Sequence, residues 1–233
     1  MADHQLRQGM TRLSNASDER PPRSARMPED GRMAEAHDTE IALSPQDLRE
    51  VTAFAAACAD GVLALFEADR PDDARPREAL AAAWEFARGG KRGKALRDTA
   101  WAASQAAGSA GTEAAREAAR AAMSAAGAAY LHPLAKATQV KHILGSGAHA
   151  ARAAELAAGG DPDVGAEHID RAVRRATPAV VDVLRRYPAA PPGGGRTGEL
   201  LRMLDAGLRA LPLAADVRSP DPARPAPPGT PPA

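Results

Sequence analysis

The chain has 233 residues, of which 44% are hydrophobic, 26% are charged and only 3% are aromatic, and this length fits one ordinary domain. Thirty Lys and Arg residues balance thirty Asp and Glu residues, so the formal net charge is zero. The general attraction to phosphate that drives most nucleic-acid binding is therefore missing, and we expect no nucleic-acid partner.

The sequence shows no pattern typical of a secreted or membrane protein. Cys58 is the single cysteine, so it has no partner for an internal disulfide. No apolar run approaches the roughly 18 residues needed to span a bilayer. The N-terminal segment also lacks the apolar stretch of about 7–15 residues that a signal peptide requires. We therefore expect a protein of the reducing cytoplasm with no membrane partner.

The two ends of the chain differ in composition from the middle. Residues 1–43 are rich in Arg, Asp, Ser and Met and have no sustained apolar period, and residues 212–233 contain closely spaced prolines. Proline removes backbone donors, and neither end has enough apolar surface to offset the entropy of ordering. The sequence therefore predicts disordered tails on either side of one folded domain at residues 44–211.

Apolar residues recur at helical spacing throughout this predicted domain. Ser44 and Pro45 supply an N-cap and a first-turn proline, and the apolar stripe that follows predicts a long first helix over 45–68. Further helices are predicted from Pro76 to the glycines at 89–90, over 93–107, from the Thr112 cap to Tyr130, over 133–158, 163–175 and 178–187, and from Thr197 onward. No segment alternates in the manner of a strand. We predict an all-α, Ala-rich domain of seven or eight helices, either an irregular bundle or a short helical-repeat array.

Alanine dominates the predicted interior, and small side chains allow helix axes to approach closely. The larger side chains should then account for much of the burial; they are Phe54, Leu65, Phe66, Trp84, Phe86, Trp101, Tyr130 and Leu144. Within the helix predicted over 133–158, Gly145-Ser146-Gly147 is expected to be a weak point, because glycine costs about 1 kcal/mol relative to alanine.

No residue pattern indicates a metal site or an enzyme. His132, His142 and His149 lack the i, i+4 spacing that would direct two ligands to one ion, so His142 and the nearby Gln139 are better interpreted as hydrogen-bonding groups between helices or at a partner surface. The glycine-rich run at 89–94 follows a helix and lacks the Gly-Lys-Ser/Thr ending of a phosphate loop. Cys58 lies on an apolar stripe, where a buried thiol is expected. We predict no cofactor and no catalysis.

The four lysines are confined to two places. Lys91 and Lys94 lie in one basic run with Arg88, Arg92 and Arg97, and Lys136 and Lys141 lie in a second segment. One interpretation is a solvated turn whose basic residues suit a helix C-terminus. The other is a surface that meets an acidic partner.

Two segments carry a family resemblance. The first segment is residues 63–80, LALFEADRPDDARPREAL, in which Asp and Arg surround two prolines between apolar seams. The second segment is residues 132–145, HPLAKATQVKHILG. Together they resemble the immunity proteins of bacterial polymorphic-toxin systems, of the Ala-rich, all-helical, actinobacterial type. The resemblance extends over about residues 45–210.

The resemblance implies a stoichiometric inhibitor that binds a cognate protein toxin made by the same cell and blocks its active site or its access to substrate. The candidate partner-binding residues, which are the unusual polar residues beside small ones, are Arg88, Lys91, Arg92, Lys94, Arg97, Lys136, Gln139, Lys141 and His142. The alternative is a helical scaffold or adaptor whose proline-rich tail recruits partners.

Overall fold

The structure, a computed structural model, describes residues 40–212. In this range the chain forms nine α-helices and one short 3-10 helix, and its only β-type pairing is an isolated bridge between Glu40 and Leu134. The helices are α1 (Pro45–Asp60), α2 (Leu63–Asp69), α3 (Arg75–Ala87), α4 (Lys94–Ser109), α5 (Glu113–Ala128), α6 (Val140–Ala157), α7 (Pro162–Arg175), α8 (Pro178–Arg185) and α9 (Gly195–Ala210), with the 3-10 turn at Ala137–Gln139 before α6. The predicted all-α class is confirmed. The predicted tails fall almost entirely outside the described residues, and the predicted domain boundaries stay predictions.

Two alanine-rich helices form the centre of the fold. α5 packs against α1, α2, α3, α4 and α6, and α6 also packs against α1, α7 and α9. α5 buries alanine on almost every side, for example Ala118, Ala122 and Ala125, all of which are 0% exposed. Because these side chains are short, several helices can pack around the same central helix.

The predicted first helix is two helices. α1 ends at Asp60, α2 begins at Leu63, and their axes are bent by 47°. The apolar stripe continues through the bend, since Val62 and Phe66 are both buried. Because the periodicity is uninterrupted, it does not reveal that the helix axis changes direction. No single helix within residues 40–212 is long and apolar enough to cross a membrane; α1 and α2 reach that length and composition only when taken together.

The start of α6 was also predicted wrongly. The prediction placed it at Pro133, but α6 begins at Val140. The non-helical segment before it uses its carbonyl groups in long-range contacts: the Ile41 backbone N–H donates to the Pro133 oxygen at 2.7 Å, and the Tyr187 hydroxyl donates to the His132 oxygen at 2.8 Å. A helix here would have used those carbonyl groups within itself.

The expected weak point in α6 is a continuous, buried part of the helix. Ser146 Oγ donates to the Ala55 carbonyl oxygen of α1 at 2.6 Å. A Cβ atom at Gly147 would lie only 2.7 Å from Cδ2 of Leu204 in α9. The small residues therefore allow α1 and α9 to pack closely on α6, and this packing outweighs the low helix propensity of glycine.

Most of the predicted large core residues are buried. Phe54, Phe66, Phe86 and Leu144 are at most 5% exposed, while Leu65, Trp84 and Tyr130 pack partly buried against the core. The prediction was wrong for Trp101, which is 68% exposed. Trp101 follows the buried Leu96 by five residues, which places it about 140° around the helix from that side chain.

Candidate functional site

A groove of about 770 Å³ opens between α4, α5, α6 and the beginning of α9. Its lining includes small residues of α5 and α6, such as Gly127, Gly145 and Ala148. Larger apolar side chains, Met123 and Leu201, also line it, and Trp101 stands at its edge. The polar and basic side chains of the lining are Arg97, Ser104, Arg120, Ser124, Lys141, His142, His149 and Thr197. Among the described residues that line the groove, none is an aspartate or a glutamate.

A second cavity of about 450 Å³ lies next to the groove. The guanidinium carbons of Arg92 and Arg97 each lie 5.7 Å from the centre of the Tyr130 ring, a distance at which a cation attracts the π-face. The Tyr130 hydroxyl donates to the Gly93 carbonyl oxygen at 2.8 Å. Arg97 lines both cavities, so the two form one continuous basic surface.

The structure brings together four of the nine predicted partner-binding residues. Arg97, Lys141 and His142 line the groove, and Arg92 joins Arg97 at the second cavity. His142 Nδ1 lies 3.1 Å from the Gly127 carbonyl oxygen, so the predicted hydrogen bond between helices is confirmed for this residue. Because a carbonyl oxygen only accepts, Nδ1–H is the donor in this hydrogen bond.

The other five predicted residues line neither cavity. Arg88 and Lys91 are exposed in the turn between α3 and α4, and Lys94 pairs with Asp98 at 2.6 Å. Lys136 is exposed before the 3-10 turn. Gln139 Oε1 accepts from the His132 backbone N–H at 3.0 Å and so holds the loop before α6. Partner binding by any of the nine stays a prediction.

A buried ionic cluster beside the groove was not predicted. Glu117 of α5 is 5% exposed, and its carboxylate lies 2.6 Å from both His149 Nδ1 and Arg120 Nη1. Burial by itself would raise the Glu117 pKa, but the hydrogen bonds and charges of His149 and Arg120 outweigh burial and lower it. Glu117 therefore stays ionised, and it fixes two groove side chains in place.

Among the groove residues that sequence reasoning missed are Trp101, Met123, Arg120 and His149. Trp101 could have been found from the sequence, because it does not lie on the buried apolar stripe of its helix. A large apolar side chain outside that stripe is a candidate for contact with a partner. Met123, Arg120 and His149 lie on α5 and α6, and the sequence does not show that these two helices pack together.

Several observations bear on catalysis and metal binding. Burial raises the pKa of the Cys58 thiol to about 11, against a weaker lowering by Arg175. The thiol is therefore protonated at neutral pH and a poor nucleophile. Within residues 40–212 no group of three or more His, Cys, Asp or Glu side chains is arranged to hold a metal ion.

Comparison with models of protein families gives a match. The profile of a family described as "Imm-5 like putative immunity protein" matches residues 42–177, more than half of the chain. No curated protein and no solved structure shows significant similarity to the chain. The matched region contains α1 to α7, including the three helices α4, α5 and α6 that line most of the groove. The resemblance inferred from residues 63–80 and 132–145 is confirmed, and the chain belongs to the Imm-5 like putative immunity protein family.

Proposed function

We propose that this protein neutralises a cognate bacterial toxin by binding to it stoichiometrically in the cytoplasm, without catalysis. Membership of an immunity-protein family supports a role of this kind. The observation that carries the proposal is the convergence of Arg97 from α4 with Lys141 and His142 from α6 at one groove, beside the exposed Trp101. Tryptophan and arginine, together with tyrosine, are enriched among the side chains that dominate binding energy at protein interfaces.

The rigidity of the groove supports tight binding. Its floor belongs to α5 and α6, whose inner residues are closely packed; Ile143 and Leu144, for example, are both 0% exposed. A surface held in its binding conformation loses little conformational entropy on association, so more of the contact energy appears as affinity. The exposed basic side chains at the rim would accelerate encounter with an acidic partner and fix its orientation.

The proposed mechanism is occlusion. The bound protein covers the toxin active site or the path by which substrate reaches it, so each molecule inactivates one toxin molecule. The nine predicted residues are the candidate contacts. Arg92, Arg97, Lys141 and His142 are the strongest, since the fold places them on one surface.

Co-expression with the protein encoded in a neighbouring reading frame, taken as the candidate toxin, tests this function. The intact chain should restore growth, and charge reversal at Lys91, Lys94 and Lys141 together should weaken the rescue. Arg174→Glu is a matched control, because Arg174 is exposed on α7 and lines neither cavity. Failure of the intact chain to restore growth would refute the proposal. Full rescue by the triple variant would remove those three lysines from the interface.

Deletion of residues 212–233 distinguishes neutralisation from the scaffold or adaptor alternative. We expect the shortened chain to neutralise the toxin as well as the full chain does, because the groove lies entirely within residues 97–201. An adaptor that recruits its partner through the proline-rich segment would lose binding on the same deletion.

A further inference from the structure

We propose that the groove between α4, α5, α6 and the beginning of α9 receives an acidic segment of the toxin that carries a large apolar side chain. This inference rests on the proposed function for the identity of the partner. It adds the chemistry of the toxin surface and the place on this protein where that surface binds.

The charge of the groove selects an acidic partner. Arg97 and Lys141 are exposed, line the groove, and make no ion pair within residues 40–212. Lys141 is therefore available to a carboxylate, and Arg97, whose guanidinium lies over the Tyr130 ring, can reach one without breaking a salt bridge to a described residue. Such pairs at a rim govern orientation and association rate more than final affinity.

Three acidic residues beside the groove are engaged in ion pairs. Asp98, which follows the groove residue Arg97, pairs with Lys94 at 2.6 Å. Glu117 is balanced by Arg120 and His149 at 2.6 Å each. Glu199, next to the groove residue Gly198, pairs with Arg196 at 3.1 Å. These internal pairs leave the positive charge of the rim uncancelled, so the groove repels a basic segment and attracts an acidic one.

The lining of the groove selects an apolar side chain at the centre of that segment. Gly127 has no atom within 4 Å of the position that a Cβ would occupy, so open space lies above it. Met123 borders this space and can adapt its shape to what enters. Trp101, which is 68% exposed at the edge, offers a large apolar surface that an incoming side chain would cover.

Tryptophan fluorescence measures this binding directly. The chain has two tryptophans, so Trp84→Phe leaves Trp101 as the only emitter. The probes are a synthetic peptide with glutamates around a central Leu-Phe pair, the same peptide with lysines in place of the glutamates, and the glutamate peptide with Ala-Ala at its centre. We expect only the first to shift the Trp101 emission to shorter wavelength. Binding of the lysine or Ala-Ala peptide with equal affinity would overturn the proposal.

Two variants locate the binding. Gly127→Leu places its Cβ atom in open space, so it should occupy the groove and abolish binding of the first peptide, while leaving the protein folded by circular dichroism. Arg97→Glu with Lys141→Glu places like charges opposite the glutamates of the peptide, which costs more than losing two rim pairs, and should weaken that binding at least about tenfold. Arg174→Glu should leave it unchanged. Undiminished binding by both groove variants would overturn the proposal.

Acrylamide quenching of Trp101 in the full-length chain tests the other possible occupants. Strong quenching that does not depend on protein concentration is expected of an open groove. Weak quenching before any peptide is added would mean that the chain covers its own groove, and quenching that weakens as concentration rises would mean that a second copy does. Either result would overturn the proposal.

The toxin assay separates this inference from the proposed function. If Gly127→Leu neutralises the toxin as well as the unmodified chain does, toxin binding lies elsewhere and this inference fails while the proposed function stands. If the unmodified chain binds the acidic peptide but never protects cells from the toxin, the proposed function fails while the measured preference of the groove stands.

Discussion

Substitution of Gly165 by alanine tests how closely α6, α7 and α9 are packed. A Cβ atom at this buried position of α7 would lie 2.3 Å from Glu155 Oε2 and 3.4 Å from Leu200 Cδ2. Glu155 is 2% exposed and is not free to swing aside. Arg152 donates to its carboxylate, and Arg196 Nε lies 3.0 Å from Oε2. The added methyl group must therefore displace a carboxylate held by two guanidinium groups.

The expected loss of stability follows from three contributions. Forcing an extra methyl group into a packed interior costs about 1–3 kcal/mol. Disturbing a hydrogen bond to a buried charged group costs about 1.5–3 kcal/mol if the bond is lost completely. Replacing a helical glycine by alanine returns about 0.5–1 kcal/mol. We expect a net loss of about 2 kcal/mol, which lowers the Tm of a folded unit of this size by roughly 4–8 °C.

Thermal and urea unfolding followed by circular dichroism measure this loss. Gly108→Ala is the matched control, because Gly108 lies in the last turn of α4 with no atom within 4 Å of the added Cβ. The control should raise the free energy of unfolding slightly. A Gly165→Ala protein that is as stable as the control would refute the close packing of Glu155 against α7.

Two further predictions concern burial and pH. Leu144→Ala should lower the free energy of unfolding by about 2–5 kcal/mol because Leu144 is 0% exposed, whereas Trp101→Ala, at a position 68% exposed, should lower it by less than about 1 kcal/mol. Equal losses in urea unfolding would contradict this assignment of the core. Burial alone would raise the Glu117 pKa, but His149 and Arg120 lower it. The stability that Glu117 contributes is therefore present above the ordinary glutamate pKa and is lost as the pH falls from that value through the lowered pKa of the folded protein. Glu117→Gln should therefore flatten the acid side of the stability profile, and an unchanged slope would show that Glu117 does not produce it.

The helical class and the starts of α1, α5 and α8 could be predicted from the sequence because their causes are local. Ser44 accepts from the Asp47 backbone N–H at 3.0 Å, and Thr112 and Thr177 cap α5 and α8 in the same way. The N-cap requires only a side-chain oxygen at the right position, so a few consecutive residues are sufficient to predict it. The turn before α3 is held locally as well, since Asp73 accepts from Arg75 Nε at 2.8 Å.

Features decided by distant contacts could not be predicted. Helix propensity marked Gly145-Ser146-Gly147 as weak, but the Ala55 carbonyl of α1 and the Leu204 side chain of α9 make that segment part of the core. The segment from Pro133 was expected to be helical, but the carbonyl groups there accept hydrogen bonds from distant parts of the chain. Tertiary contacts outweigh local preference in both places.

The candidate site could be predicted only in part, because distant contacts decide its arrangement as well. The clustering of basic residues identified Arg97 and Lys141 as candidates. It could not predict that α4 and α6 both pack against α5 and so bring these two residues to one groove. Trp101 was assigned to the core because it is large and apolar, although its place on α4 points away from the buried stripe. Hydrophobicity alone does not distinguish a core residue from an exposed apolar residue that contacts a partner.

Titration of the purified protein into purified toxin, with toxin activity measured at each step, is the most direct test of neutralisation by binding. The account predicts that activity falls in proportion to added protein and reaches zero at one molar equivalent. Complete loss of activity at a small fraction of an equivalent would indicate turnover instead of binding. Full toxin activity at a large excess of the protein would contradict neutralisation itself.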